Sequence, residues 1–233
     1  MTLLIGTAMT TIAVNENNYN FSESSSFKPV DVPDSWLEGA DQYQTDDYAA
    51  GMVIAPLDHI AQEFKPTKED LTAFALYFFN KEAPSDVDIT VIIRDSLDGS
   101  DLTTMTLDAD SKKIKASGTW VMFDFDDITV IPEETYYIVC YASDGGATSN
   151  CYCWFFDVDN KYDRGIAWAI DDSGEIWTDL EDPGWGPDFV EIDLCFITYF
   201  QEPPKNKAIN APFFNFLQNH PHLFPLLRQL LGL

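Results

Sequence analysis

Basic residues are scarce in this chain: 13 Lys and Arg stand against 39 Asp and Glu, for a net charge of −26. A surface of that sign repels nucleic-acid phosphates and anionic membrane faces, so no nucleic-acid partner is expected. Histidine is scarcer still. His59, His220 and His222 are the only three, and no Ser-His-Asp or His-Glu-x-x-His spacing occurs, which leaves hydrolytic and zinc chemistry without its usual residues and gives neither a catalytic residue nor a cofactor. Long apolar runs are absent as well: none reaches the roughly 20 residues of a membrane-spanning helix. No basic residue precedes Lys28. Residues 1–13, MTLLIGTAMTTIA, are apolar and small and end in Thr-Ile-Ala, like the second half of a secretory signal peptide without its basic front; the alternative is an ordinary first strand. The remnant reading implies a secreted or cell-surface protein.

Cysteines number four, Cys140, Cys151, Cys153 and Cys195. If Ser143–Thr148 closes a hairpin, Cys140 faces Cys151 or Cys153, so one disulfide and four buried thiols are the two readings. Cys-x-Cys on a strand points both sulfurs one way and lacks the knuckle of a zinc ribbon, so no metal is expected there. The turn Asp95–Asp101 holds three carboxylates around Gly99. It fails the calcium-loop spacing, which needs oxygen ligands at positions one, three and five, glycine at six and glutamate at twelve, and reads as a solvated turn.

What the chain has in abundance is apolar and aromatic residues, 45% and 14% of its 233 positions, enough for a full core. They alternate. Around Gly118–Ser143, Val121, Phe123 and Phe125 interleave with Trp120, Met122 and Asp124, and Tyr136, Ile138 and Cys140 with Tyr137, Val139 and Tyr141. These two strands are expected to be central and to face each other across a corner at Pro132. Similar short runs at 52–54, 60–64, 71–80, 87–94, 102–107, 151–158, 166–170 and 188–200 are separated by Gly, Asp and Pro turns, with Lys81–Ser85 expected to close a hairpin. The fold expected is therefore all-β, a jelly-roll-like antiparallel β-sandwich with a short C-terminal helical tail. It divides into the remnant at 1–13, a polar leader at 14–60, the sandwich at 61–200 and a linker and tail at 201–233.

The order Ala61-Gln62-x-Phe64, Ile92–Leu102, Trp120-Val121-x-Phe123-x-Phe125, Glu134–Val139, Tyr162-x-x-Gly165 and Ser173-Gly174-x-x-Trp177 resembles the non-catalytic jelly-roll modules of secreted bacterial and archaeal surface proteins. These are similar in outline to galactose-binding-like and carbohydrate-binding domains. The resemblance covers about Ala61–Phe200 and implies architecture; it transfers no binding residue, because such modules share no single ligand motif.

The candidate site comes from the residues. Between Tyr152 and Trp185, aromatic rings and carboxylates cluster, which suits a sugar: rings stack on its C–H faces and carboxylates accept its hydroxyl hydrogens. The ligand-facing set is Tyr162, Asp163, Trp177, Trp185 and Asp188. Trp154 and Trp168, inside strands, are expected in the core. The tail, Lys205–Leu233, carries Lys205, Lys207 and Arg228 and no acid. Its apolar residues recur at three and four on either side of His220-Pro221, as in two short amphipathic helices that either clasp the sandwich or dock on a protein partner or membrane interface. Together these readings describe a secreted, non-catalytic module for a glycan or cell-surface component, attached or assembled through its tail. A structural subunit of a surface layer or filament is the alternative, and a glycoside-active enzyme a more distant one.

Overall fold

The computed structural model describes residues 21–23, 32, 34–46, 50–56, 59–82, 87–108, 114–144, 150–158, 162–170, 176–181 and 191–201. The signal-remnant and helical-tail readings, at 1–13 and 205–233, lie outside them. In chain order the elements are β1 (Phe21–Glu23), the helical turn α1 (Asp34–Leu37), β2 (Ala40–Gln44), β3 (Ala50–Ile54), β4 (Ile60–Phe64), β5 (Asp70–Lys81), β6 (Ile89–Arg94), β7 (Asp101–Leu107), β8 (Thr119–Thr129), β9 (Tyr136–Ala142), β10 (Cys151–Asp157), β11 (Ala167–Ile170), β12 (Trp177–Asp179), β13 (Asp193–Leu194) and β14 (Phe196–Tyr199). The protein is all-β, in two antiparallel sheets. Sheet A runs β1-β3-β10-β5-β14-β2, with β8 added to β5 and β13 to β10; sheet B runs β12-β11-β4-β9-β6-β7.

The inner faces follow from the period-two patterns. Phe74, Leu76 and Phe78 of β5 and Tyr152, Trp154 and Phe156 of β10 meet Val91 and Ile93 of β6 and Ile138 and Cys140 of β9 in one buried cluster. Phe123 stacks on Phe74 at 5.1 Å. Strand β5 is buried along Leu71–Lys81, on both faces. Its outer face joins Ala73 and Ala75 to Ile197 and Tyr199, with Trp36 and Leu37 of α1 packed on them, and joins Tyr77 and Phe79 to Cys151, Cys153 and Phe155. Strands β1 to β3 belong to this sheet, so it extends into the segment read as a leader.

Two local readings are corrected. Sequence neighbours β5 and β6, and likewise β9 and β10, are not hairpins: in each pair one strand lies in sheet A and the other in sheet B. Among the described strands, pairing between sequence neighbours is confined to β6–β7 and β11–β12. A polar turn can fold the chain back within a sheet or carry it to the facing one, and the choice depends on which partner buries the apolar side. Cys140 therefore lies in the inter-sheet core, whereas Cys151, Cys153 and Cys195 lie in the cluster on the far face of sheet A. All four are free, buried thiols, and burial raises Cys140 and Cys153 well above the ordinary thiol range.

The second correction concerns β8. Strand β9 is central, between β4 and β6, but β8 pairs only with β5 and is an edge. Its register slips opposite Leu71 and Ala73, and Asp124, Asp126 and Asp127 stand exposed along it. Charges there discourage a further strand from adding.

The entry to β8 depends on Gly118, whose φ of +97° lies in the region that side chains avoid, and whose missing Cβ would meet the Tyr77 ring. Gly118→Ala should lower stability by roughly 1–3 kcal/mol, a loss measurable by thermal or urea unfolding; an unchanged midpoint would show that Tyr77 yields freely.

Candidate functional site

The outer face of sheet B is built as three rows that cross the strands. In the middle row Asp179, Trp168, Ala61, Val139, Ile92 and Thr104 are successive partners. Beside it Glu63 pairs with Tyr137, Tyr137 with Arg94 and Arg94 with Asp101. On the other side Trp177 pairs with Ile170, the Ile170 amide donates to the His59 carbonyl at 2.9 Å, and the His59 ring stacks on Tyr141 at 4.6 Å. Ala61, Ile92 and Val139 form a small buried floor, with Tyr137, Tyr141, Trp168 and Trp177 half-buried on it and Leu97 against its margin. Ala61, small and central, leaves room for the rings to lie over the sheet.

Polar contacts fix the rings. The Trp168 indole N–H donates to Glu63 Oε2 at 3.4 Å, Lys65 Nζ lies 3.9 Å from Glu63 Oε1, and Tyr137 meets the Trp168 ring edge-on at 6.4 Å. Burial, reinforced by the Glu63 carboxylate, raises the Tyr137 phenol above its ordinary range, so it remains a neutral hydroxyl. The His59 Nε2–H donates to the Pro56 carbonyl at 3.1 Å. Burial and the Arg94 charge hold this imidazole below the usual range, although the Pro56 bond opposes them. Arg94 donates through Nε to Asp101 Oδ1 at 2.8 Å and through Nη1 to the Leu97 carbonyl at 2.8 Å. The acidic turn Asp95–Asp101 is thus closed by a guanidinium, with the Gly99 amide on the Ser96 carbonyl at 2.9 Å. Among the described residues no group of three His, Cys, Asp or Glu side chains is placed to hold a metal ion.

Of the residues read from the sequence as ligand-facing, Trp177 lies on this face, on the outermost strand of sheet B. Tyr162 does not. It is 5% exposed in the inter-sheet core, its hydroxyl accepts from the Lys65 amide at 3.2 Å and donates to Gln42 Oε1 at 3.1 Å, and its ring meets Phe196 edge-on. An isolated tyrosine between polar loops looks the same in sequence whether it points out or pins the loop inward. Asp163 is exposed on the next turn, which abuts the face through Gly165, where a Cβ would meet the Glu63 backbone. Trp185 and Asp188 lie outside the described residues. Trp154 is fully buried, as its strand position implied, but Trp168 is half-buried on the outer face instead of in the core.

Tyr137 and Tyr141 were missed as site residues, although their alternation with Tyr136, Ile138 and Cys140 already put two aromatics on the face opposite the core. Glu63, His59 and Arg94 carried no such signal; only strand order brings them beside the rings. Comparison with known proteins gives no matching family model and no matching curated sequence.

The two classes of tryptophan separate in stability. Trp154→Ala removes a core ring whose N–H is bonded to the Cys195 carbonyl at 2.8 Å, and should cost about 3–5 kcal/mol. Trp177→Ala, on an edge strand, should cost about 1 kcal/mol. Equal losses in chemical unfolding would make Trp177 a core residue.

Proposed function

We propose that this protein is a secreted or cell-surface, non-catalytic, jelly-roll-like module that binds a glycan or other surface component on the outer face of sheet B. The observation that carries the reading is the set of Trp168, Trp177, Tyr137, Tyr141 and His59 rings half-exposed on one sheet face, with Glu63, Arg94, Asp101 and Asp179 beside them. Aromatic faces take up the apolar C–H faces of a sugar, and flanking polar groups select its hydroxyls. Arg94 is already paired with Asp101 and Glu63 with Lys65, so a stacked ligand leaves neither of these pairs with an uncompensated charge. The tail, 205–233, attaches the module to a protein partner or membrane interface: its apolar stripe calls for burial, and it carries no acid in a chain of net charge −26.

Titration with neutral and acidic oligosaccharides, followed by tryptophan fluorescence, tests the first part. Trp168→Ala and Trp177→Ala should each weaken binding roughly two- to ten-fold, the range of one ring contact, while both variants stay folded. A chain that ignores every sugar and forms large oligomers in size-exclusion chromatography is instead a subunit of a surface layer. For the second part, removing 205–233 should leave the unfolding midpoint unchanged and abolish attachment; a large drop with aggregation overturns the docking role.

A further inference from the structure

The best-buried carboxylate of the described residues sits where the two sheets are joined, away from the aromatic face. Asp193 of β13 is 0% exposed and its direct cross-strand partner on β10 is Asp157, 5% exposed. Opposed residues of an antiparallel pair hold their Cβ atoms about 4.5–5.5 Å apart, so two ionised carboxylates there repel strongly. Asp193 Oδ2 accepts the Tyr162 amide at 3.0 Å, but its Oδ1 is buried without any hydrogen-bond partner. A buried ionised carboxylate with a bare oxygen is far more costly than the neutral acid, which carries no charge to desolvate. Glu191, two residues along, adds a charge of the same sign and is itself paired by a β-bridge with Glu181. Glu191 is raised by burial and by Glu181.

The segment that carries Asp193 is the joint. Cys195 donates its amide to the Phe155 carbonyl at 2.8 Å in sheet A; Ile192 accepts the Ala167 amide at 3.0 Å and donates to Leu180 at 3.3 Å, at the β11–β12 edge of sheet B. The Leu194 amide is held by Gln62 Oε1 of β4 at 2.6 Å.

We propose that Asp193, buried opposite Asp157, holds a proton and forms a pH-sensitive latch, closed while Asp193 is neutral, between sheet A and the strand edge that carries Trp168 and Trp177. Burial first, then the Glu191 and Asp157 charges, push Asp193 from 3.8 up to about 7, against the lowering effect of the Tyr162 amide and Gln62. Among the described residues, the Tyr162 phenol is held neutral by burial, and Arg164 beside that phenol is taken up by Glu133 at 3.0 Å and by the Lys65 carbonyl. A carboxyl whose folded pKa exceeds its unfolded one contributes stability that is full below the unfolded value and is lost as pH rises through the folded one. The window here runs from the ordinary aspartate range to about 7.

The test uses the full chain at high salt, which suppresses the general repulsion of a −26 surface. Asp193→Asn keeps the shape of the neutral form. Its thermal midpoint should match the native one below about pH 4 and exceed it by several degrees above about pH 7, while the control Asp126→Asn shifts nothing across that window. A difference that does not vary with pH, or a variant less stable throughout, overturns the latch. Should Asp193→Asn not fold, carboxyl-carbon NMR on the native chain decides alone: an Asp193 inflection near neutrality supports the proposal, and one in the ordinary aspartate range ends it. Neither outcome depends on whether sheet B binds a glycan.

Discussion

Strand β5 has no face to give to water. From Leu71 to Lys81 it is buried on both sides, and the rest of the molecule is arranged to meet that requirement. Along one edge it carries β8; along the other β10 takes Phe78–Lys81 and β14 takes Ala73–Leu76. The chain enters between those two partners at Cys195, whose carbonyl receives both the Tyr77 amide and the Trp154 indole N–H while its own amide reaches Phe155. Every polar group of that insertion point is matched, as a buried backbone crossing demands. A strand of this kind would be costly to expose, so sheet A is committed to structure on both faces.

Sheet B is not so constrained, and it can leave aromatic rings half-exposed for that reason. Its inner face completes the core, while its outer face has only a three-residue buried floor and a set of half-buried rings. The ion pairs around those rings, Arg94 with Asp101 and Lys65 with Glu63, add little to stability at a surface. Their effect is to hold the ring edges and to close the turn after β6.

The joint between the sheets is polar where the core is apolar. Gln62, Tyr162, Gln42 and Thr198 exchange hydrogen bonds with the backbone of β2 and β13 and with one another, and Asp193 lies among them. Such a network specifies one arrangement of the two sheets, because each slip would leave several buried groups unmatched.

The positions of most strands from β3 onward, the core faces of β6 and β9, and the all-β class were legible in the sequence, because side chains on a strand alternate with period two and burial selects apolar ones on one face; β1 and β2, in the segment read as a polar leader, were not. The double burial of β5 was legible too, as the apolar run Ala73–Phe79. Partnership was not. Cys140 and Cys151 read as hairpin neighbours and lie in different sheets; Tyr162 read as a ligand residue and pins a loop into the core; Trp168 read as core and lies on the outer face; Glu63, His59 and Arg94 read as nothing in particular and frame the aromatic face. Each of these depends on which strand lies beside which, and strand order is set by the total burial of two faces at once. That is a sum over residues distant in the chain, such as Asp157 and Asp193, and local pattern carries no trace of it.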